Sequence, residues 1–460
     1  MSSLQALQDR LQRNIVFVLR MRLDDKADAL AGILSAVAKA GARVGDVRLA
    51  AQDAGSVVYD IQLFTTGDDQ VKAAATAAAA VTGATVVEVL DMAMETHRGG
   101  ACEVRSRTPI RSNTDLRIVY TPGVARVCKA IEADPAKARQ FTNVANKVAI
   151  ATNGTAILGL GDIGPLAGLP VMEGKAAIFW EFVGISAEPV LIDTHDADEF
   201  INIMEKLAVG FGAIQIEDVA APECFRITRE LDKKLPIPVF HDDQHGTATI
   251  VLAGLFSALK KTGKKIQQMR CAISGAGAAG TAITELLQIA GIGDVVLADR
   301  AGIIHRGRKE NMNDEKVALA QRTNKENIKG TLADAMAGRD LFIGVSQANI
   351  VSQAMVRSMA KDPIVFALAN PVSEISVAEA YQAGAVIAAD GRMMNNALAY
   401  PGIFRGALDS QAPSITIDMM LAAANALAGV VPAGQLMPEM MDPATHKAVF
   451  SAVMQAARKA

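Results

Sequence analysis

Two pairs of adjacent carboxylates are the residues of this sequence best suited to chemistry. Glu217 and Asp218 follow one short apolar segment, and Asp242 and Asp243 follow another, directly before a helical pattern. Because carboxylate oxygens are the ligands that hard divalent cations prefer, the two pairs predict a site for Mg²⁺ or Mn²⁺. The alternative is that Asp242 or Asp243 only caps the helix that follows.

A lysine and a tyrosine are candidates for proton transfer. Lys175 lies between Gly174 and an apolar segment, residues 176–179, that we expect to form a buried strand. A lysine desolvated beside a metal cation can lose its proton and act as a general base, and a tyrosine hydroxyl such as that of Tyr120 can transfer a proton. The alternatives are a lysine that faces solvent and a tyrosine that serves only in packing.

A glycine-rich turn between a predicted strand, residues 269–274, and a predicted helix, residues 278–290, indicates a dinucleotide site. The turn needs glycine for three reasons: a tight bend, close approach of the backbone to a pyrophosphate, and close packing of the helix on the sheet. The pyrophosphate then lies at the helix N-terminus, where unpaired N–H groups favour an anion. The predicted cofactor-binding residues of the turn are Gly275, Ala276, Gly277, Ala278, Ala279 and Gly280.

An acidic residue at the end of the next predicted strand bears on the cofactor preference. Asp299 is placed to accept hydrogen bonds from a ribose 2′-hydroxyl, and with Arg300 it completes the predicted cofactor site. Its charge would repel a 2′-phosphate, so NAD is favoured over NADP. Arg300, Arg306 and Arg308 follow closely and weaken this preference, which keeps NADP open.

A second set of glycines repeats the same spacing but predicts no dinucleotide site. Gly159, Gly161 and Gly164 are followed by Pro165 and Pro170, and we expect the prolines to prevent the helix that such a site requires. The glycine pattern is therefore informative only together with its strand and helix.

The elements that must position these residues fall into three segments. Residues 14–90 have the order β-α-β-β-α-β, which predicts a ferredoxin-like α+β module and, in order and length, resembles an ACT domain. From about residue 101, strands alternate with helices, which is typical of a parallel α/β sheet whose carboxyl edge collects functional groups. The third segment contains the glycine turn and enough strands for a doubly wound, Rossmann-type sheet.

We therefore predict an α/β protein of three domains. The predicted boundaries are residues 1–97 for an ACT-like regulatory domain, 98–243 for an α/β substrate and metal domain, and 244–460 for an NAD-binding domain with C-terminal helices.

Bulk composition argues against several classes of protein. The chain has 460 residues with 46 basic and 49 acidic side chains, so no basic excess favours nucleic acid. Four scattered cysteines without paired spacing argue against a disulfide framework or a zinc knuckle. No signal-peptide pattern is evident, and the longest apolar stretch is shorter than the roughly 20 residues of a membrane span. We expect a cytoplasmic protein without a membrane partner.

Taken in order, these motifs resemble those of malic enzymes of the compact bacterial type, preceded by an ACT-like domain. The similarity extends over roughly residues 105–410. The motifs that carry it are Tyr120-Thr-Pro-Gly-Val-Ala, Gly159-Leu-Gly-Asp-Ile-Gly, Leu169-Pro-Val-Met-Glu-Gly-Lys175, Glu217-Asp218, Phe240-His-Asp-Asp-Gln-His-Gly-Thr247, Ser274-Gly-Ala-Gly-Ala-Ala-Gly280, Asn370-Pro371 and Asn395-Asn-Ala-Leu-Ala-Tyr-Pro-Gly402.

The resemblance implies NAD-dependent oxidative decarboxylation of (S)-malate to pyruvate and CO₂ with Mg²⁺ or Mn²⁺. It makes Tyr120 the general acid, Lys175 the general base and Asp242 the partner of that lysine. Animal-type relatives carry an arginine for a substrate carboxylate where this sequence has Ala156. The implied metal ligands are Glu217, Asp218 and Asp243, and the implied ligands of the substrate carboxylate are Asn370 and Asn396.

Three other functions are compatible with parts of the pattern. A malolactic enzyme, which retains NAD and releases lactate, would use nearly the same residues. An amino-acid dehydrogenase shares the two-domain outline but needs no divalent metal. A non-catalytic ligand sensor would keep the first module and lose the chemistry. The partners expected for a malic enzyme are malate, a small-molecule effector at the ACT-like module, and further copies of the chain in a homodimer or larger homo-oligomer.

Overall fold

The computed structural model describes residues 15–24, 28–53, 55–157, 160–370 and 372–458. Contacts between residues divide the chain into two units, Met1–Glu103 and Val104–Ala460. Gly159 of the second glycine pattern and Pro371 of the Asn370 motif lie outside the described residues.

The first unit has the predicted order β-α-β-β-α-β. Its sheet is antiparallel, with strand order β2-β3-β1-β4, which is the ferredoxin-like arrangement. Alternate side chains of the first strand, among them Leu19 and Met21, are buried with Ile33 and Val37, which lie one turn apart on the first helix. The elements are β1 (Ile15–Asp24), α1 (Ala29–Lys39), β2 (Arg43–Asp53), β3 (Ser56–Thr65), α2 (Asp68–Ala79), β4 (Ala84–Asp91) and α3 (Met92–Thr96).

The first half of the second unit contains the predicted parallel sheet. Its strand order is β6-β5-β7-β8, and helices such as α8 bury Phe200 and Met204 against it. The elements are α4 (Asn113–Val119), α5 (Val124–Ala133), α6 (Ala138–Phe141), β5 (Lys147–Thr152), α7 (Pro165–Val183), β6 (Ser186–Leu191), α8 (Ala197–Leu207), β7 (Ala213–Ile216), α9 (Glu223–Lys234) and β8 (Val239–His241).

Helix α7 contradicts two sequence predictions. Residues 165–170 were expected not to be helical, and residues 176–179 were expected to form a strand, yet one helix spans Pro165–Val183. Proline is tolerated in the first turn because the N–H it lacks has no partner there, and Pro165 begins the helix. The sequence is apolar on nearly every face, so no period of two or 3.6 distinguishes strand from helix. Burial of Met172, Ala176 and Phe179 at helical spacing decides for the helix.

The second half of the second unit is the predicted doubly wound sheet. Its strand order is β11-β10-β9-β12-β13-β14, and every pair is parallel except β10 with β11. The elements are α10 (Thr247–Thr262), β9 (Arg270–Ser274), α11 (Ala278–Ile289), β10 (Asp294–Asp299), β11 (Gly302–Ile303), α12 (Asp314–Arg322), α13 (Leu332–Met336), β12 (Leu341–Gly344), α14 (Gln353–Arg357), β13 (Ile364–Ala367), α15 (Val377–Gln382), β14 (Ile387–Asp390), α16 (Tyr400–Ser410), α17 (Ile417–Gly429) and α18 (Pro443–Ala457).

None of the helices in the described part of the chain combines the length and the apolar character needed to cross a bilayer.

Candidate active site

Three carboxylates meet at the carboxyl edge of the first parallel sheet. Glu217 and Asp218 follow β7, and Asp243 follows the neighbouring parallel strand β8. One carboxylate oxygen from each residue lies within 4.8 Å of the other two. Because parallel neighbours end at the same edge, residues 25 positions apart in sequence become ligands that can share one cation.

The backbone around this cluster is held in an uncommon conformation. Asp218 has φ 51°, in the left-handed region that few residues other than glycine adopt. In this conformation its N–H donates to Oδ2 of Asp243 over 3.0 Å. The side-chain amide of Gln215 donates to Oε2 of Glu217 over 2.6 Å. The three carboxylates thus converge in a fixed arrangement, and their hard oxygen donors fit Mg²⁺ or Mn²⁺.

Lys175 joins this cluster from the middle of α7. Its ammonium lies 2.9 Å from Oε1 of Glu217 and 2.5 Å from Oδ2 of Asp242. The lysine side chain is 13% exposed and that of Asp242 is 0% exposed, so solvent screens the pair little. A Cβ at Gly246 would lie 1.9 Å from Oδ1 of Asp242, so the wide π-helical turn Asp242–Gly246 admits the carboxylate only beside glycine.

The charges of the cluster do not balance. Burial raises the pKa of Glu217 to about 7 and that of Asp242 to about 7, and burial also raises the pKa of Asp243. Burial lowers the pKa of Lys175, but the charges of Asp242 and Glu217 outweigh it and hold that pKa well above its usual value. One lysine therefore faces several acids whose pKa values burial raises, and a divalent cation bound beside them would supply the missing positive charge.

Tyr400 also belongs to the cluster, although no role was predicted for it from the sequence. It is fully buried at the start of α16, and its ring centroid lies 4.7 Å from Nζ of Lys175. Its hydroxyl has no hydrogen-bond partner among the described residues. The motif that carries Tyr400 was recognised, but only Asn396 in it was given a role, because a tyrosine followed by proline and glycine gives no sign of burial.

Tyr120 occupies a different environment from Lys175. It directly follows α4 and is 65% exposed. Its hydroxyl makes no hydrogen bond to the carboxylate cluster within the part of the chain that the structure describes. The structure therefore brings Lys175, Asp242 and the predicted metal ligands together but does not join Tyr120 to them.

The two predicted substrate asparagines lie on separate loops. Asn370 follows β13, and a Cβ at Gly391 would lie 3.2 Å from its Oδ1. Asn396 begins the short helical turn before α16, and a Cβ at Gly246 would lie 3.6 Å from the Cβ of Asn396. Asn396 is therefore adjacent to the turn that carries Asp242.

The glycine-rich turn has the geometry predicted for a dinucleotide site. Gly275 has φ 109°, and a Cβ there would lie 2.7 Å from the carbonyl oxygen of Val345. A Cβ at Gly280 would lie 1.9 Å from the carbonyl oxygen of Gly275, so only glycine allows α11 to approach this closely. Gly277, at the N-terminus of α11, has no atom within 4 Å of its Cβ position, which leaves room for a pyrophosphate. These glycines, with Ala276, Ala278 and Ala279, fit NAD.

Asp299 does not present a free carboxylate to a ribose. Its two oxygens accept from Arg308 over 2.7 and 2.6 Å, from Lys316 over 2.8 Å and from Asn311 over 3.0 Å. Burial raises the pKa of Asp299, but hydrogen bonds from Arg308 and Lys316 outweigh it and hold the pKa below its usual value. The expected repulsion of a 2′-phosphate is thus offset by two cations, whereas Arg300 is exposed. Lys316 could not be identified from sequence because it lies 17 residues beyond Asp299 in an ordinary surface helix pattern.

Comparison with known proteins agrees with this geometry. Residues 100–232 match the N-terminal domain of malic enzymes, and residues 244–394 match the malic enzyme NAD-binding domain. The NAD-dependent malic enzyme of Geobacillus stearothermophilus is 43% identical over 95% of this chain and 94% of its own length. The bifunctional malic/malolactic enzyme of Bacillus subtilis is 46% identical over 78% of this chain and 90% of its own.

A solved structure gives the same result for the fold. The crystal structure of the NAD-dependent malic enzyme of Thermotoga maritima superposes with a TM-score of 0.76 and 41% sequence identity, over 78% of this chain and 98% of that one. These matches, together with the arrangement of the carboxylates, Lys175 and the glycine turn, show that the chain belongs to the malic enzyme family.

Proposed function

We propose that the protein catalyses NAD-dependent oxidative decarboxylation of (S)-malate to pyruvate and CO₂ with a divalent metal. The observation that carries the proposal is Lys175, held by Asp242 and Glu217 beside the three converging carboxylates. A base next to a cation site, within a unit that also contains a dinucleotide turn, is what oxidation of a 2-hydroxy acid requires.

Glu217, Asp218 and Asp243 would hold Mg²⁺ or Mn²⁺, which supplies Lewis-acid stabilisation of negative charge on the substrate oxygens. With Glu217 and Asp243 committed to a cation, their share of the attraction that holds the proton of Lys175 would weaken, while the burial that lowers its pKa would remain. Lys175 can then accept the proton of the malate C2 hydroxyl. Asp242 keeps the lysine in place in both protonation states.

The other side chains would orient the substrate and return a proton. The amides of Asn370 and Asn396 would donate to the malate carboxylates. Bound NAD, held by the residues Gly275 to Gly280 with Asp299 and Arg300 nearby, supplies the hydride acceptor. Tyr120 would protonate C3 after CO₂ has left, which requires its exposed hydroxyl to approach the substrate.

The proposal extends to the whole protein. The domain boundaries are placed at 1–97, 98–243 and 244–460, with an ACT-like first domain that binds a small effector. Assembly into homo-oligomers is supported by exposed apolar side chains near the start of the second unit, such as Val104 at 100% and Ile118 at 67% exposure. We place the enzyme in the cytoplasm, where malate and NAD are available together.

An absorbance assay at 340 nm tests the proposal. Malate is combined with NAD or NADP and with Mg²⁺, Mn²⁺ or a chelator. We expect NADH to form only with a metal present, together with equimolar pyruvate. NADH formation that is unaffected by the chelator would show that malate oxidation needs no divalent metal and would contradict the proposal.

A malolactic reaction is the second candidate, because the Bacillus subtilis relative is named as bifunctional. That reaction retains the nucleotide and releases lactate. Lactate formed from malate without net NADH would identify it.

A further inference from the structure

Glu374 is a buried carboxylate that the proposed chemistry does not use. It is 0% exposed, and its two oxygens accept from two different loops. Oε1 accepts from the N–H of Ser346 over 2.9 Å, and Oε2 accepts from the N–H of Ala369 over 3.1 Å. Within the described ranges no ion pair joins Glu374 to a lysine, arginine or histidine. The side chain of Ser346 also forms a hydrogen bond with Glu374. A buried carboxylate held by these few donors fixes them strongly, because losing one leaves it without a substitute for water.

The fold is shaped around this carboxylate. A Cβ at Gly344 would lie 2.3 Å from Cδ of Glu374 and 2.6 Å from each carboxylate oxygen. The backbone carbonyl of Glu374 also accepts from Val351, over 3.0 Å. Gly344, the last residue of β12, therefore provides the space that the carboxylate occupies at the carboxyl edge of the doubly wound sheet.

The two donors, Ser346 and Ala369, lie next to the two halves of the proposed active site. Ser346 is 2.8 Å, hydroxyl to hydroxyl, from Ser274, which ends β9 directly before the dinucleotide turn. The Cβ of Ser346 would lie 3.3 Å from a Cβ placed on Gly275. Ala369 directly precedes Asn370, the predicted ligand of the substrate carboxylate. One carboxylate thus connects the nucleotide turn with the substrate loop.

We infer that Glu374 is a positioning residue that couples nucleotide binding to malate binding. The inference rests on the proposed function, which places the nucleotide at Gly275–Gly280 and malate at Asn370. A bound nucleotide that fixes the Ser274 and Ser346 pair fixes Glu374 and, through Ala369, the Asn370 loop. Each ligand then tightens the other reciprocally, because coupling is a property of both sites.

The Glu374→Gln variant tests the coupling directly. Its amide NH₂ would face a backbone N–H, so one of the two connections is lost while size and shape remain. NADH binding is titrated by fluorescence with Mg²⁺ present, with and without saturating malate. In the wild type we expect malate to tighten NADH binding by at least about fivefold. In Glu374→Gln this factor falls to within about twofold of unity.

A second variant, Ser346→Ala, tests the nucleotide side of the connection through Glu374. A third variant, Asp340→Asn, is the control. Ser346→Ala removes the hydroxyl contact to Ser274 and is expected to lower the coupling factor as well. Asp340→Asn alters a carboxylate that accepts from the N–H of Arg270 and from Lys264, each over 3.0 Å, at the amino ends of β9 and β12. Asp340→Asn should keep the coupling factor of the wild type.

The outcomes separate this inference from the proposed function. A wild-type protein that does not reduce NAD with malate refutes the proposed function. Normal turnover with a coupling factor of one in the wild type, or with an unchanged factor in Glu374→Gln and Ser346→Ala, overturns the inference. If Glu374→Gln does not fold, the coupling factor of Ser346→Ala, compared with that of the control Asp340→Asn, tests the inference.

Discussion

Lys175 is the residue whose chemistry depends most on its neighbours. In Lys175→Met the base is lost, and Asp242 and Glu217 lose the cation that compensates them. We expect kcat for malate oxidation to fall by about 10²–10⁴-fold, the usual contribution of a general base. Stopped-flow absorbance at 340 nm measures the loss. The matched control is Lys147→Met, which removes the ion pair with Glu188 outside the cluster and should leave kcat within about twofold.

Two tyrosines compete for the role of proton donor to C3. Tyr120→Phe should retain reduction of oxaloacetate and lose pyruvate formation, since only the later step needs the hydroxyl. Tyr400→Phe should retain both activities, because the ring that lies 4.7 Å from the Lys175 ammonium is kept. Both are measured by coupled assays for pyruvate and by NADH consumption. If Tyr400→Phe rather than Tyr120→Phe loses decarboxylation, the buried tyrosine is the acid and the assignment of Tyr120 is wrong.

The charge around Asp299 predicts how the site treats a 2′-phosphate. Arg308 and Lys316 together exceed the single negative charge of Asp299, so the cluster carries a net positive charge. Lys316→Gln removes this excess and should weaken NADPH binding about tenfold, with NADH binding changed less than about twofold. Fluorescence titration of the two reduced nucleotides gives both values. A similar loss for NADH and NADPH would mean that Lys316 only orders the loop.

At the scale of elements, two glycines of the turn between β9 and α11 have different roles: Gly277 leaves room for the cofactor, and Gly280 allows close packing of α11. Gly277→Ala meets no atom in the fold, so the melting temperature should be preserved while NADH affinity drops through contact with the pyrophosphate. Gly280→Ala places a methyl 1.9 Å from the Gly275 carbonyl oxygen and should lower stability by about 1–3 kcal/mol as well as affinity. Thermal unfolding and NADH titration of both variants check this. Equal melting temperatures would show that α11 can shift to accommodate the methyl group.

The elements also show what sequence could and could not predict. The strand and helix on either side of the Gly275 turn, predicted over residues 269–274 and 278–290, are observed as Arg270–Ser274 and Ala278–Ile289, because a short apolar run followed by a glycine turn has one simple interpretation. Helix α7 was missed because its apolar residues have no period and its prolines suggested a loop. The carboxylate cluster was predictable from strand order, whereas contacts of Lys316 and Glu374 arise between distant loops and carry no local signal.

At the scale of the whole molecule, the cluster makes folding stability depend on pH. Glu217 and Asp242 have pKa values of about 7 in the folded protein, above the usual values of 4.5 and 3.8. The folded state therefore binds more protons than the unfolded state between about pH 4 and 7. The stability that these groups contribute is fully present below pH 4 and is lost as the pH rises through 7. A bound divalent cation has the opposite dependence, because its ligands must be deprotonated.

Metal should therefore stabilise the protein more as the pH rises. With Mn²⁺ at a hundredfold excess over its Kd, the free energy of unfolding should increase by about 2.7 kcal/mol at pH 8 and by much less at pH 5.5, where protons compete for Glu217. Thermal unfolding with Mn²⁺ and with a chelator, at three pH values, measures the effect. Glu217→Gln removes one ligand and one raised acid, so its melting temperature should respond little to Mn²⁺ at any pH. A shift of equal size at pH 5.5 and 8 would place the cation outside the buried carboxylates, since only deprotonation of those groups links binding to pH in this range.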